Sequence, residues 1–143
     1  MKVKIIIDPT RDEEVVIVAH RLTPLVEELQ RLASEKPLEL VGIRDGESTV
    51  LEYAQVTRFT VEGDKTYACA EGGRYRIKQR LYQIEQQMPP YFVRFHQSCL
   101  ANLRQIGRFE ASYSGTLRVV FKNGDVDYVS RRNVRKVKER LGV

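Results

Sequence analysis

The sequence predicts a mostly β fold of the α+β class, and three observations carry that prediction. From residue 38 onward, short runs rich in β-branched and aromatic residues follow one another as in a meander. Turn-forming groups separate them, among them Asp45-Gly46, Glu62-Gly63-Asp64 and Asn123-Gly124, which suit tight hairpins. Helical periodicity is confined to three stretches, so the few helices punctuate the strands and do not alternate with them.

Size and composition are consistent with that class. A chain of 143 residues fits one medium domain, or a short element attached to a domain of about 100 residues. With 42% hydrophobic and 30% charged residues, the chain can bury a sizeable core and does not read as disordered. No apolar run approaches the roughly 20 residues that span a bilayer, and residues 1–7 lack the apolar core of a signal peptide, so the expected location is cytoplasmic, with no membrane partner. Cys69 and Cys99 show neither CxxC nor Cys/His spacing; they read as small core residues, with no disulfide, metal or cofactor expected.

The elements follow in order. Residues 2–7 and 15–19 are β-branched runs on either side of Asp8-Pro9 and are expected to pair as a hairpin. Thr23-Pro24 has the form of an N-cap followed by proline at the first helical position, and Leu25, Leu29 and Leu32, flanked by Val26 and Ala33, then recur at helical spacing until Pro37. That stripe covers a sheet or meets a second copy of the chain. Residues 1–37 thus form a β/α extension, and residues 38–143 the main domain. In the latter, strands are expected at 38–44, 48–52, 56–62, 66–70 and 73–77. A helix presenting Leu81, Ile84 and Met88 follows, stopped by Pro89-Pro90. Further strands are expected at 92–95, 99–102, 106–111, 117–121 and 126–130, and the final helix, 131–141, turns Val134, Val137 and Leu141 inward.

Charge is unevenly divided. The net +5 resolves into −2 over residues 1–45, zero over 46–90 and +7 over 91–143. A basic C-terminal block suits a polyanion, because cations that neutralise phosphates release condensed counterions, although a solvated basic surface would look the same. In the last helix Arg131, Arg135 and Lys138 line one flank of the apolar seam and Arg132, Lys136 and Arg140 the other. Lysines and arginines late in a helix complement its dipole, whereas Arg131 and Arg132 open the helix against it, a cost that an anionic partner would offset.

No catalytic constellation is present. The sequence holds no P-loop, no GxGxxG after a strand, no GxSxG and no HExxH, and its two histidines, His20 and His96, lie far apart, so no enzyme is expected. Strand 92–95 and its continuation have a different logic. Simple alternation sets Phe92, Arg94 and His96 on one face and Val93 and Phe95 on the other, with Gln97-Ser98 as a polar turn. Arginine can donate twice to guanine, glutamine can pair with adenine, and histidine or serine can meet a base edge or a phosphate. A polar strand end with His96 held by a backbone carbonyl fits the same pattern.

Taken together, His96-x-Ser98-x-Leu100-x-Asn102-Leu103, then Ile106, Asn123-Gly124 and Ser130-Arg131-Arg132, resemble the LytTR domain, the DNA-binding module of LytR/AgrA-type bacterial response regulators. The resemblance covers about residues 38–143 and includes the Glu62-Gly63-Asp64-Lys65 turn and the helix of Leu81 and Ile84. It implies an elongated stack of small, mostly antiparallel sheets whose loops enter successive major grooves of double-stranded DNA at promoter repeats. It further implies that the loop matching Arg94, His96, Gln97 and Ser98 enters a groove, that the turn matching Asp64, Lys65 and Thr66 approaches DNA, and that the residue matching Arg132 makes another contact; Arg131 and Arg135 join the candidates as its helical neighbours. Leu100 and Asn102 are expected to be structural, Asn102 by fixing a turn through its side chain. Ala101 stands where the family often has a larger aliphatic residue, a change of packing only.

The 37 residues ahead of this region are too short for the receiver domain usual in such regulators, so control by aspartyl phosphorylation is not expected. They are instead expected to dimerise the chain or to bind another protein. The competing function is a non-catalytic interaction module whose basic surface meets an acidic protein. RNA binding is disfavoured because Phe92 and Phe95 fall on opposite strand faces and cannot form one stacking platform.

Overall fold

The computed structural model describes residues 1–34, 39–70 and 72–143, the Ser34 side chain excepted. The chain divides into two compact units, Met1–Lys36 and Pro37–Val143. The domain boundary expected at 37/38, the first residue of the 38–44 strand and Glu71 of the 71–73 turn lie outside the described residues.

In the first unit, helix α1 (Pro24–Ser34) starts as its sequence requires: the Thr23 hydroxyl accepts from the Val26 amide at 3.3 Å, and Thr23 O accepts from Glu27 N. The expected hairpin of 2–7 with 15–19 is corrected. A turn forms where Asp8 accepts from the Thr10 amide and hydroxyl, but neither run carries a strand ladder. The physical reason is visible in the burial: of the described residues in this unit only Val26 is buried, and Ile5, Ile6, Ile7, Val15, Val16 and Val18 stay exposed, so nothing covers one face of a two-stranded ribbon.

Among its described residues the second unit holds ten strands and two α-helices. Strands β1 (Glu39–Arg44), β2 (Glu47–Glu52), β3 (Val56–Glu62), β4 (Lys65–Ala70), β5 (Gly73–Ile77), β6 (Phe92–His96) and β7 (Cys99–Asn102) form one antiparallel sheet in the order β2-β1-β5-β4-β3-β7-β6. Strands β8 (Ile106–Ala111), β9 (Leu117–Phe121) and β10 (Val126–Val129) form a second sheet, β10-β9-β8. Helix α2 (Leu81–Gln87) lies between β5 and β6, and α3 (Arg131–Leu141) follows β10.

Turn chemistry sets the hairpins. Arg44 pairs with Glu47 across a two-residue loop in which Asp45 and Gly46 both have positive φ, the type I′ geometry that matches strand twist. Glu62 pairs with Lys65 across Gly63-Asp64, where only Gly63 has positive φ, at +61°, which only glycine enters cheaply at the first loop position.

The hairpin β6–β7 is buried on both faces and joins two cores. Phe92 and Leu100 enter a core with Phe59, Tyr53, Ile77 and Ile84. Val93, Phe95, Cys99 and Ala101 enter another with Leu117, Val119, Phe121, Val129 and Val137. Each fully buried phenylalanine here contributes about 1.5–3 kcal/mol of burial, and Phe59, Phe92, Phe95 and Phe121 are all in that state. Phe92 and Phe95 do lie on opposite faces, as simple alternation requires.

Candidate nucleic-acid interface

Three exposed segments meet at one end of β6. The β6–β7 loop, Gln97-Ser98, is joined to the end of β3 by Val61 N donating to Ser98 O at 3.2 Å. The start of α3 is joined to the same strand end, where Ser130 N and the Asn133 side chain both donate to Phe95 O, at 2.9 and 3.2 Å. The end of β3, which leads into the turn with Asp64 and Lys65, and the start of α3, with Arg131 and Arg132, are thus both tied to this loop and its strand. Asp64, Lys65, Gln97, Arg131, Arg132 and Arg135 are exposed, and Ser98 is half-buried. Arg135 lies one turn along α3 and approaches Glu139 at 3.4 Å with its side chain 92% exposed, a contact worth little against a phosphate.

Other candidates are placed beneath this surface. Thr66 is buried. Arg94 is engaged throughout its guanidinium: Nε and Nη2 donate to the Glu85 carboxylate of α2 at 2.8 and 3.2 Å, and Nη1 donates to the carbonyls of His96 and Gln97 at 3.2 and 2.8 Å. His96 departs from the expected face. The β6–β7 register shifts between Arg94 and His96, and this bulge turns His96 to the side of Val93 and Phe95, toward β10. There its Nε2 meets Asp127 Oδ1 at 2.8 Å, its Nδ1 accepts from Ser98 N at 3.2 Å, and the Tyr128 ring stacks on it at 4.3 Å. A carboxylate, not a backbone carbonyl, holds this histidine.

Asp127 and Arg58 are the functional neighbours that sequence reasoning missed. Arg58 Nη1 donates to Asp127 Oδ2 at 2.7 Å, and the Tyr128 amide donates to Oδ1 at 2.8 Å. Burial pushes the Asp127 carboxyl up, but the bonds from His96 and the Tyr128 amide, with the Arg58 charge beside it, outweigh it and hold the group below its ordinary value. Cys99, buried beside it, has its thiol pushed well up by burial and by that same carboxylate. His96, Cys99 and Asp127 bring their donor atoms within 4.8 Å of one another, but Arg58 already supplies the positive charge on this carboxylate. Both cysteines are free and buried. The one local signal pointing to Asp127 was its polar place in the apolar run 126–130, and nothing in the sequence identified its partners 31 and 69 residues away.

The basic flanks of α3 are not equivalent. Arg140 donates to the carbonyls of Pro90 and Phe92, pinning the helix C-terminus to the start of β6. Asn102 behaves as expected: fully buried, it accepts from Arg104 N at 2.9 Å, and its amide donates to Val56 O at 3.0 Å and Ala54 O at 3.4 Å.

Residues 46–142 match the family described as the LytTr DNA-binding domain. The chain is 30% identical over 109 residues, 76% of its length and 74% of the relative's, to an uncharacterized HTH-type transcriptional regulator of Staphylococcus aureus (strain NCTC 8325 / PS 47). It matches the counterpart from strain MRSA252 to the same extent. Among solved structures, the LytTr DNA-binding domain of a Bacillus cereus response regulator superposes with a TM-score of 0.71 at 22% identity, covering 76% of this chain and all of that one. Despite the relatives' description, α2 and α3 are separated by five strands and form no helix-turn-helix pair. No helix among the described residues is long and apolar enough to cross a membrane.

Proposed function

Because the chain belongs to the LytTr DNA-binding domain family, we propose that it is a sequence-specific transcriptional regulator that inserts loops into successive major grooves of double-stranded DNA at promoter repeats. The observation that carries this reading is that the end of β3, which leads into the Asp64-Lys65 turn, and the Arg131-Arg132 helix start are both tied to the end of β6 and its Gln97-Ser98 loop, by Val61 N on Ser98 O and by Ser130 N and the Asn133 side chain on Phe95 O. Each segment offers a different chemistry. Gln97 can pair with adenine and Asp64 can accept from cytosine N4, whereas Lys65, Arg131, Arg132 and Arg135 suit phosphates. Arg94, His96 and Thr66 act in this reading as supports of the contacting residues, in keeping with their burial or internal bonds.

Selection from a pool of random duplexes tests the proposal. Enrichment of a repeated motif is expected, with affinity falling steeply as salt rises; a pool that enriches nothing would sink it. Gln97→Ala is expected to cost about 1–3 kcal/mol on the selected duplex and to relax base preference, while Arg132→Ala weakens all sequences alike and lowers the salt slope by about 1.

The first unit supports self-association on DNA of repeated half-sites. Its 36 residues are too few to bury a core of their own, and Leu25, Leu32 and seven β-branched residues of its two arms are exposed. Light scattering on the whole chain at micromolar concentration should return the mass of a dimer; the mass of a monomer removes this part of the reading.

A further inference from the structure

We propose that Asp127, which lies off the contacting surface, is a specificity-determining positioning residue that acts through His96; this rests on the DNA-reading function above. Asp127 stands where the two sheets meet. Its Oδ2 takes the Arg58 guanidinium of β3 at 2.7 Å, and its Oδ1 takes the Tyr128 amide and His96 Nε2, each at 2.8 Å. On the far side of the imidazole, Nδ1 accepts from the Ser98 amide at 3.2 Å. Only one tautomer serves both ends: Nδ1 bare toward Ser98, and the proton on Nε2, donated to the carboxylate. The Tyr128 ring, parallel to the imidazole within 4°, holds it against rotation.

The chain Arg58–Asp127–His96 therefore ends on the backbone of the loop. Fixing the Ser98 amide fixes the peptide plane between Gln97 and Ser98, and with it the direction in which Gln97 projects. Arg94 braces the same loop from below through the carbonyls of His96 and Gln97. Base reading by a planar amide demands such placement to about 0.5 Å, whereas flexible cations on phosphates do not. Loss of Asp127 should accordingly remove discrimination before it removes binding.

Asparagine cannot replace the carboxylate. With its oxygen kept on Arg58, its amide group faces His96 Nε2 and converts that atom to an acceptor; the ring proton moves to Nδ1 and opposes the Ser98 N–H. The experiment measures affinity of the whole chain for the selected duplex and for a scrambled duplex of equal composition, over a salt series, and reads the ring proton from imidazole ¹⁵N shifts. Wild type is expected to hold the proton on Nε2. Asp127→Asn is expected to move it to Nδ1 and to lose about tenfold or more on the selected duplex, about 1.4 kcal/mol, with scrambled-duplex affinity and salt slope retained. Equal selectivity in Asp127→Asn and wild type, or a parallel loss on both duplexes, overturns the proposal. Where Asp127→Asn does not fold, His96→Asn and His96→Ala decide. Both abandon Asp127, but the side-chain oxygen introduced by His96→Asn keeps an acceptor near the Ser98 amide, so that variant should retain more selectivity; equal loss in the two overturns the proposal. A wild type without selectivity sinks the DNA-reading function itself, while wild-type selectivity in Asp127→Asn or in His96→Ala sinks only the role of Asp127.

Discussion

Asn102 shows how one buried polar side chain can be fully used. Its amide spans the turns after β2 and β7, so Asn102→Ala takes a partner from the Val56 carbonyl, the Arg104 N–H and the Ala54 carbonyl, of which the last keeps the Gln105 side chain. The expected cost is about 2–3 kcal/mol, read as a lower urea midpoint with an unchanged slope. Asp127 makes stability depend on pH. Its folded value lies below the unfolded one, so its contribution is fully present above the ordinary carboxylate range and is lost as pH falls through the folded value. Acid titration of unfolding should therefore show a loss below about pH 4 that is smaller in Asp127→Asn; equal acid sensitivity in the two would count against this account. Residue identity announced the role of Asn102, because a short amide at a turn has few other uses. It left the role of Asp127 undetermined, because a carboxylate on a strand takes its meaning from partners that are remote in sequence.

At the scale of the element, local rules carried far. The runs 56–62, 73–77, 99–102, 106–111, 117–121 and 131–141 coincide with β3, β5, β7, β8, β9 and α3. Turn pairs and hydrophobic patterning bound these segments tightly, and all but β8, in which only Ile106 is half-buried, had a face to bury. The exceptions are instructive. Residues 2–7 and 15–19 have the composition of strands but no neighbour to cover them, so propensity alone made no ladder. In β6 one extra residue reversed the face of His96, a shift of phase that alternation cannot foresee. Gly63 offers a test at this scale. Gly63→Ala places a Cβ at φ +61°, so the β3–β4 turn should lose about 1 kcal/mol or more. Thermal unfolding measures that cost, and an unchanged midpoint would contradict the turn geometry.

Across the whole second unit, the two cores share the hairpin β6–β7, so neither can open without stripping a face of the other. Leu100→Ala in the first core and Val119→Ala in the second should lower the same single unfolding transition, the leucine by about 2–5 kcal/mol. Two separable transitions in fluorescence and circular dichroism would show the cores to be independent. The shared hairpin also braces the Gln97-Ser98 loop, since its strands carry buried residues on both faces.

The sequence by itself determined the order and type of nearly all elements, the basic C-terminal third and the family, because hydrophobic period, turn chemistry and motif spacing are local properties of the chain. Only the tertiary structure decided which polar residues face outward and which hold others in place. Arg94 and His96 have the chemistry of base contacts, yet Glu85 and Asp127 claim them. Those partners are brought within hydrogen-bonding distance by sheet order and a bulge, which depend on the packing of the whole unit and leave no periodic trace in the chain.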